Sequence, residues 1–170
     1  MIVAHALYLI APVVMAGVIH AVVIKRDAFT LLAKPLDGGR LFRGVALFGK
    51  NKTWRGAAVM IAASTGLAAT IGLPPLLGTA LGSAYSLAEL PNSFVKRRLG
   101  IAPGSRASRG ALQYLADQGD SVLGCTLALL LFVDNSALLA TVFAMGFVLH
   151  GTIDALLYVF GVKRVRELPA

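Results

Sequence analysis

Two acidic residues, Asp117 and Asp120, stand directly before an almost unbroken apolar run, "SVLGCTLALLLFV". A spacing of three residues places both carboxylates on the same face of a helix. The apolar run, 121–133, is too short to cross a bilayer, which takes about 20 residues. A membrane-spanning helix at this place must therefore extend back through both aspartates, to the depth of the lipid headgroups.

Carboxylates at such a depth need a compensating partner. An acidic side chain at mid-bilayer costs about 2.5–3.5 kcal/mol, so it usually faces a polar cavity or another charge. One hypothesis is that Asp117 and Asp120 form structural salt bridges with loop arginines. The other is that they hold a divalent cation, since magnesium prefers hard oxygen ligands beside phosphates. Two acids at one depth favour the metal, and we expect both to face a polar cavity together with Lys52 and Lys96.

The composition indicates the elements that position these groups. Of 170 residues, 57% are hydrophobic and only 14% are charged, whereas about a quarter are charged in soluble domains. We predict an all-α membrane protein with a single polytopic domain over 1–170. The opening segment lacks the basic region of a signal peptide and is expected to be a retained helix. The predicted bundle has about five transmembrane helices, at about 2–24, 57–73, 75–90, 113–133 and 137–160.

The basic residues predict the orientation of this bundle. All 16 Lys and Arg residues lie within 25–56, 96–109 and 163–166. With five spans these segments fall on one side, which the positive-inside rule makes cytoplasmic. The N-terminus is then outside, and two large loops (25–56 and 91–112) and the C-terminus are cytoplasmic. We therefore expect a multi-pass protein of the cell membrane whose active site faces the cytoplasm.

The first loop combines glycine and positive charge. Its "LDGGRLFRGVALFGKNKTWRG" interleaves five glycines with Lys and Arg. Glycines let backbone N–H groups approach a ligand and also form turns, but with the cations they favour phosphate binding. "GVALFGKN" is not a Walker A motif, because Asn51 stands where a Ser or Thr is needed. Lys25, Arg26 and the basic tail are attributed to topology and to anionic headgroups.

The second loop continues the third span. If the helix runs past Pro91, Asn92 or Ser93 shares a face with Lys96. "GSRASRG", at 104–110, is expected to be a flexible, cationic connector. In the last span, His150 and Asp154 are either a functional pair or a hydrogen-bonded pair inside the bundle. His5, His20 and Trp54 are expected to be interior or interfacial, and the single Cys125 excludes an internal disulfide.

The ordered motifs "NSFVKRRLGIAPG" and "DQGDS" resemble those of the CDP-diacylglycerol synthase superfamily. Together with "FGKNKTWRG", they resemble more specifically its small archaeal branch, the CDP-archaeol synthase family. The resemblance covers most of the chain, including both loops and all five predicted spans. The chain departs from the larger diacylglycerol enzymes after Pro103-Gly104, where "SRASRG" replaces their His-Gly-Gly.

The resemblance implies a membrane cytidylyltransferase that transfers CMP from CTP to the phosphate of 2,3-di-O-geranylgeranyl-glyceryl phosphate. Pyrophosphate is the second product and Mg²⁺ the cofactor. The implied partners are CTP, the isoprenoid lipid and the membrane, with no nucleic acid and with a possible homo-oligomer. By motif position, Asp117 and Asp120 are metal ligands and catalytic residues, together with Lys96 and Arg97. The implied nucleotide- and phosphate-binding residues are Lys50, Asn51, Lys52, Thr53, Arg55, Asn92 and Ser93.

Two other functions were weighed against this one. A CDP-alcohol phosphotransferase is suggested by "DGGR", but the acids that its motif requires do not follow Asp37 in the loop. A small anion transporter or channel subunit with cationic vestibules is the non-catalytic alternative. Transporters usually have internal repeats or broken helices near mid-membrane. The polar residues here cluster on one side instead, which favours the enzyme.

Overall fold

The computed structural model describes residues 1–103 and 110–162. The mostly helical fold that the sequence predicts is confirmed in this part of the chain. Arg106, Arg109 and the connector at 104–109 lie outside the described residues, as does the basic tail. The five helices of the described part are α1 (Ile2–Lys25), α2 (Trp54–Thr70), α3 (Pro75–Arg98), α4 (Gly110–Leu129) and α5 (Ser136–Val159).

Consecutive helices run antiparallel to one another. The hydroxyl of Tyr8, near the start of α1, donates a hydrogen bond of 2.7 Å to the carbonyl of Ile71, just after α2. At the other side of the bundle, α5 packs against both α4 and α1, which closes the five helices around a common core. Apolar side chains fill that core because burying them removes their surface from water or lipid headgroups. Its fully buried members include Met60, Leu81, Leu129 and Val142.

Two of the described helices, α1 and α5, are long and apolar enough to cross a membrane. By length and composition alone, α2, α3 and α4 are weaker candidates for membrane spans. α2 has 17 residues, and the polar ends of α3 and α4 lower their hydropathy. The structure thus supports membrane association through α1 and α5, while the five spans and their orientation stay predictions.

The third helix runs past Pro91, which is the case that the sequence analysis considered for Asn92 and Ser93. Residues 91–98, assigned from sequence to the loop 91–112, continue α3 as far as Arg98. Pro91 cannot donate the backbone hydrogen bond of its turn, which usually ends a helix. Here the following turns are held from outside, because Asn92 bonds to α4 and Arg98 donates to three carbonyls of the first loop. α4 likewise ends at Leu129, four residues before the predicted boundary at 133.

The first loop contains a β-hairpin that the sequence analysis did not predict. Strand β1 (Leu41–Phe42) pairs antiparallel with strand β2 (Val45–Ala46). Its two-residue turn consists of Arg43 and Gly44, with φ angles of 52° and 76°. Turns of this kind require left-handed backbone at both positions and therefore favour glycine. The "RG" within "LFRGVA" was the available local signal.

Small residues bring the helix backbones close together. A Cβ atom at Gly78 would lie 2.3 Å from the carbonyl oxygen of Ser64, and one at Gly82 would lie 2.7 Å from that of Met60, so α2 and α3 meet directly at these glycines. A Cβ atom at Gly124 would lie 2.4 Å from the Cβ of Ala88 and 2.9 Å from the carbonyl oxygen of Ala84. The contact at Gly124 therefore sets the distance and register between α3 and α4.

This contact makes Gly124→Ala a sensitive test of the packing. We expect it to destabilise the protein by about 1–3 kcal/mol, because the added methyl group must push two backbones apart. Gly66→Ala, on the open face of α2 with nothing within 4 Å, is the matched control. It should be neutral or stabilising by up to about 1 kcal/mol, since alanine favours the helix. Thermal unfolding in detergent would contradict this packing if both variants shifted the Tm equally.

Candidate active site

One face of α3 carries a row of polar side chains at helical spacing. Tyr85, Glu89, Asn92 or Ser93, and Lys96 follow one another at intervals of three or four residues. α4 runs antiparallel to this face, and its contact at Gly124 lies next to Ala84 and Ala88. Moving from Gly124 toward the start of α4 therefore brings Asp120 and then Asp117 alongside the last turns of α3.

The carboxylates of Asp117 and Asp120 accept hydrogen bonds from the same side-chain amide. Asn92 Nδ2 donates to Asp117 Oδ1 at 2.8 Å and to Asp120 Oδ2 at 2.9 Å. The two carboxylate oxygens therefore lie within less than twice a hydrogen-bond length of each other. Asp117 also forms an ion pair with Lys96 and accepts from Gln113 Nε2 at 2.9 Å. Among the described residues, the salt-bridge partner of Asp117 is thus Lys96 of α3; the loop arginines Arg106 and Arg109 lie outside them.

The first loop contributes a second lysine, Lys52, to the charged side chains around α3. Lys52 forms an ion pair with Glu89 of α3. Its backbone is held in an extended arrangement with residues 34–36, since the Leu36 N–H donates to the Lys52 carbonyl at 2.8 Å. The Trp54 N–H donates to the Lys34 carbonyl at 3.0 Å in the same arrangement. These backbone bonds fix the direction from which Lys52 reaches α3.

A carboxylate inside the loop organises its glycines. Asp37, which is buried, accepts hydrogen bonds from the backbone N–H groups of Gly39 at 2.9 Å, Phe48 at 3.0 Å and Gly49 at 3.3 Å. Burial alone would raise the pKa of Asp37, but these backbone donors outweigh it and hold the pKa below its ordinary value. The N–H groups of Gly39 and Gly49, considered as phosphate donors from sequence, are thus occupied by Asp37.

The charged side chains of α3, α4 and the loop surround one polar cavity of about 210 Å³. Eight of the eleven site residues implied by the family motifs line it. Arg97 is 6% exposed, and its Nε and Nη1 have no hydrogen-bond partner among the described residues. Buried donors without partners are costly, so this arginine is suited to an anion that enters the cavity. The eight are Asn51, Lys52, Asn92, Ser93, Lys96, Arg97, Asp117 and Asp120.

The structure places three motif residues outside the walls of this cavity. Lys50 is exposed at the turn before α2. Thr53 is the N-cap of α2, and its Oγ1 accepts from the Gly56 N–H at 3.2 Å. Arg55 is buried and pairs with Asp27 at the end of α1. In this structure Thr53 and Arg55 thus serve the fold of the loop.

Other residues of the cavity were not assigned from sequence. Glu89 was the most detectable, because it is an acid within an apolar helix and lies one turn before Ser93 on the same face. Gln118 stands between the two aspartates, and its buried Oε1 has no partner among the described residues. His150 and Asp154, whose role the sequence left open, line the cavity as well. The residues of the cavity that the sequence analysis did not single out are Tyr85, Glu89, Tyr114 and Gln118.

An apolar pocket adjoins the polar cavity. Tyr85, His150 and Asp154 line both spaces and so form the boundary between them. His150 Nδ1 lies 3.0 Å from the Gln118 carbonyl, which ties α5 to the segment of α4 that carries both aspartates. Beyond this boundary the apolar pocket continues between α1, α4 and α5, lined by side chains such as Ile10, Val13, Val122, Val142 and Leu157.

The residues that could hold a metal are two carboxylates and their neighbours. Within residues 1–103 and 110–162, no group of three or more His, Cys, Asp or Glu forms a complete metal cluster. Asp117 and Asp120 offer hard oxygen ligands, and Gln118 adds a buried amide oxygen that has no hydrogen-bond partner among the described residues. Magnesium commonly uses one or two carboxylates and takes its other ligands from water and substrate phosphates. The donor set therefore fits magnesium better than zinc.

Several curated proteins are similar to this chain, and they carry the name CDP-archaeol synthase. The relative from Methanoculleus marisnigri is 36% identical over 153 residues, covering 77% of this chain and 88% of that protein. The relative from Halobacterium salinarum is 31% identical over 153 residues, covering 76% and 81%. The relative from Halorubrum lacusprofundi is 32% identical over 157 residues, covering 76% and 82%. No family model and no solved structure matches the chain.

The position of Thr53 yields a prediction about stability. Thr53→Ala removes the acceptor of the N-cap and should lower the free energy of unfolding by about 1 kcal/mol. Thr53→Ser keeps that acceptor and should leave the stability nearly unchanged. Chemical or thermal denaturation of the two variants checks this. Equal stability of Thr53→Ala and Thr53→Ser would contradict the capping role.

Proposed function

The chain belongs to the CDP-archaeol synthase family, and we propose that it is a membrane-embedded cytidylyltransferase. The proposed reaction transfers CMP from CTP to 2,3-di-O-geranylgeranyl-glyceryl phosphate and releases pyrophosphate. The observation that carries this proposal is the meeting of two compartments. A polar cavity lined by acids and cations adjoins an apolar pocket between helices, and Tyr85, His150 and Asp154 line both.

The two compartments match two substrates of opposite solubility. CTP is a water-soluble polyanion, whereas the lipid has an anionic phosphate and two isoprenoid chains that stay in the bilayer. A cavity with lysines and an arginine suits both phosphates, and the adjoining apolar pocket suits the first part of a chain. The boundary residues would then lie beside the glycerol that joins phosphate and chains.

The attacking group does not need a catalytic base. A phosphate monoester has its second pKa near 6 and is largely dianionic at pH 7. Its oxygen can therefore attack the α-phosphorus of CTP directly, with the bond to pyrophosphate breaking on the opposite side. The protein has to bring a dianion and a triphosphate together in line, which is a problem of positioning and charge.

Three cations of the cavity serve that purpose. Lys52 and Lys96 are each held by a carboxylate, Glu89 and Asp117 respectively, so their ammonium groups are positioned before substrate enters. Preorganised charges of this kind need no reorientation during the reaction. Arg97 contributes buried N–H groups that have no other acceptor among the described residues. Together they can neutralise the phosphates of both substrates and the charge of the departing pyrophosphate.

The charges of the cavity walls also favour the binding of a divalent cation. The described wall residues carry four carboxylates (Glu89, Asp117, Asp120 and Asp154) against three cations, so a polyphosphate that met these residues alone would face a surplus of negative charge. We propose Asp117 and Asp120 as magnesium ligands, with Asn92 holding the two carboxylates together. When bound, magnesium supplies charge neutralisation to the triphosphate oxygens.

The depth of the site fits a cytoplasmic entry for CTP. Asp117 and Asp120 lie near the start of α4, and Asn92 and Lys96 near the end of α3, at the end of the bundle that carries the first loop. That loop and the end of α3 hold most of the described Lys and Arg residues. We propose that this end faces the cytoplasm, in accord with the positive-inside rule.

Pyrophosphate release tests the reaction directly. Purified protein in detergent is supplied with CTP, Mg²⁺ and a phosphorylated isoprenoid glycerol lipid. We expect release that requires all three. Asp117→Asn and Asp120→Asn should each lower kcat/KM by at least about 100-fold, since each would remove an anionic oxygen ligand of the proposed magnesium ion.

A matched control separates this loss from a general effect of removing an acid. Asp134→Asn changes an exposed aspartate in the turn between α4 and α5 and should leave activity unchanged. Thermal unfolding of all three variants reports whether they are folded. Absence of release by the wild-type protein, or equal activity of Asp117→Asn and Asp134→Asn, would contradict the proposed site.

A further inference from the structure

The turn that follows α1 has an unusual backbone. Asp27 and Phe29 adopt positive φ angles of 50° and 55°, in the left-handed region. This conformation is costly for residues other than glycine, and an aromatic residue rarely adopts it. Such a conformation persists only where the surrounding structure holds it. A short 3₁₀ turn, Thr30–Leu32, follows directly.

Arg55 holds this turn from the first turn of α2. Its Nη1 donates to Asp27 Oδ1 at 2.7 Å and to the Ala28 carbonyl at 2.9 Å. The Arg55 side chain is only 9% exposed, whereas that of Asp27 is 73% exposed. A buried arginine is thus used to fix an exposed turn of the backbone. Arg55 belongs to the "KTWRG" motif but does not line the polar cavity.

The held turn directs apolar side chains away from the protein. Phe29 is 64% exposed, Leu31 87% and Leu32 44%. One exposed leucine is ordinary, but an aromatic residue and two leucines in four residues form an apolar surface that water does not favour. We call residues 29–32 the interfacial segment.

The position of this segment indicates what covers it. α1 is long and apolar enough to cross a membrane, and its basic end, Lys25 and Arg26, is followed within three residues by the segment. Basic residues at the end of a span lie at the headgroups, so the segment must lie at the same level. Lys34, also exposed, follows it on the other side. Apolar residues between cations are typical of segments that enter the interface of anionic lipids.

We propose that the interfacial segment is a membrane anchor, inserted among the headgroups of anionic lipids and oriented by Arg55. Phe29, Leu31 and Leu32 contact the upper part of the acyl chains, while Lys25, Arg26 and Lys34 contact the headgroups. The anchor also acts on the cavity, because the Trp54 N–H donates to the Lys34 carbonyl and the Leu36 N–H to the Lys52 carbonyl. The membrane surface thereby stabilises the extended segment that carries Lys52. This proposal does not depend on the proposed reaction.

Tryptophan fluorescence tests the insertion. Trp54→Phe removes the one tryptophan of the chain, and Leu31→Trp, at a well-exposed position, then places a single probe in the segment. The protein is reconstituted into nanodiscs of anionic phospholipid brominated near the headgroup end of the acyl chains. We expect the bromine to quench the probe and its emission to be blue-shifted relative to Lys50→Trp in the same background. Quenching no greater than that of Lys50→Trp would overturn the proposal.

A second variant tests the role of Arg55. Arg55→Met, added to the Leu31→Trp protein, removes both hydrogen bonds to the turn, and we expect quenching of the probe to decrease. Met15→Trp, on the exposed surface of α1, serves as the single probe in a separate Trp54→Phe protein and shows whether the bundle remains intact. Its quenching by bromine deep in the acyl chains should be the same with and without Arg55→Met. Unchanged quenching of the Leu31→Trp probe in the Arg55→Met protein would overturn the orienting role of Arg55.

Discussion

The close contact between α3 and α4 is the constraint on which the candidate site depends. At Gly124 the two backbones approach so closely that a methyl group would meet Ala88 at 2.4 Å. Because the helices are antiparallel, one turn from this contact toward the site brings Asp120 opposite Asn92, and the next brings Asp117 opposite Lys96. A wider separation would move the carboxylates out of reach of the shared amide. The groups proposed to bind metal and phosphate are therefore positioned by packing between helices, at a point where α4 has a glycine and α3 has only alanines.

The basic residues of the first loop and of the adjoining ends of α2 and α3 fall into two groups. Lys52, Lys96 and Arg97 line the polar cavity, where they would contact the phosphates of the proposed substrates. Two other arginines hold the loop instead. Arg55 bonds to the turn after α1, and Arg98 donates to the carbonyls of Phe42, Val45 and Ala46 while it stacks between the rings of Phe42 and Phe94. Arginine is suited to holding the loop because its planar group makes several hydrogen bonds at once. The basic residues at this end of the bundle therefore include some that line the cavity and others that stabilise the loop.

Much of the fold could be predicted from local patterns. Long apolar runs indicated the helices, and the spacing of Asp117 and Asp120 indicated one shared helix face. The hairpin was missed because two strands of two residues each carry too little alternation to be recognised. Glu89 was missed for a different reason, since its partner Lys52 lies 37 positions away and no spacing rule connects them. Thr53 and Arg55 were assigned to the binding site with their neighbours; neither lines the polar cavity, because adjacent residues in an extended segment and a helix start point in different directions.

The sequence by itself determined the helical class, the clustering of positive charge in the loops and the pair of acids at one depth. Each of these follows from residue type and from regular spacing within one element. Only the tertiary structure decided which cations face the cavity, that Asn92 joins the two carboxylates, and that an apolar pocket adjoins the polar one at His150. Those relations arise between elements far apart in the chain. Their geometry depends on how closely the backbones pack, as at Gly124, and a sequence pattern within one helix carries no information about that distance.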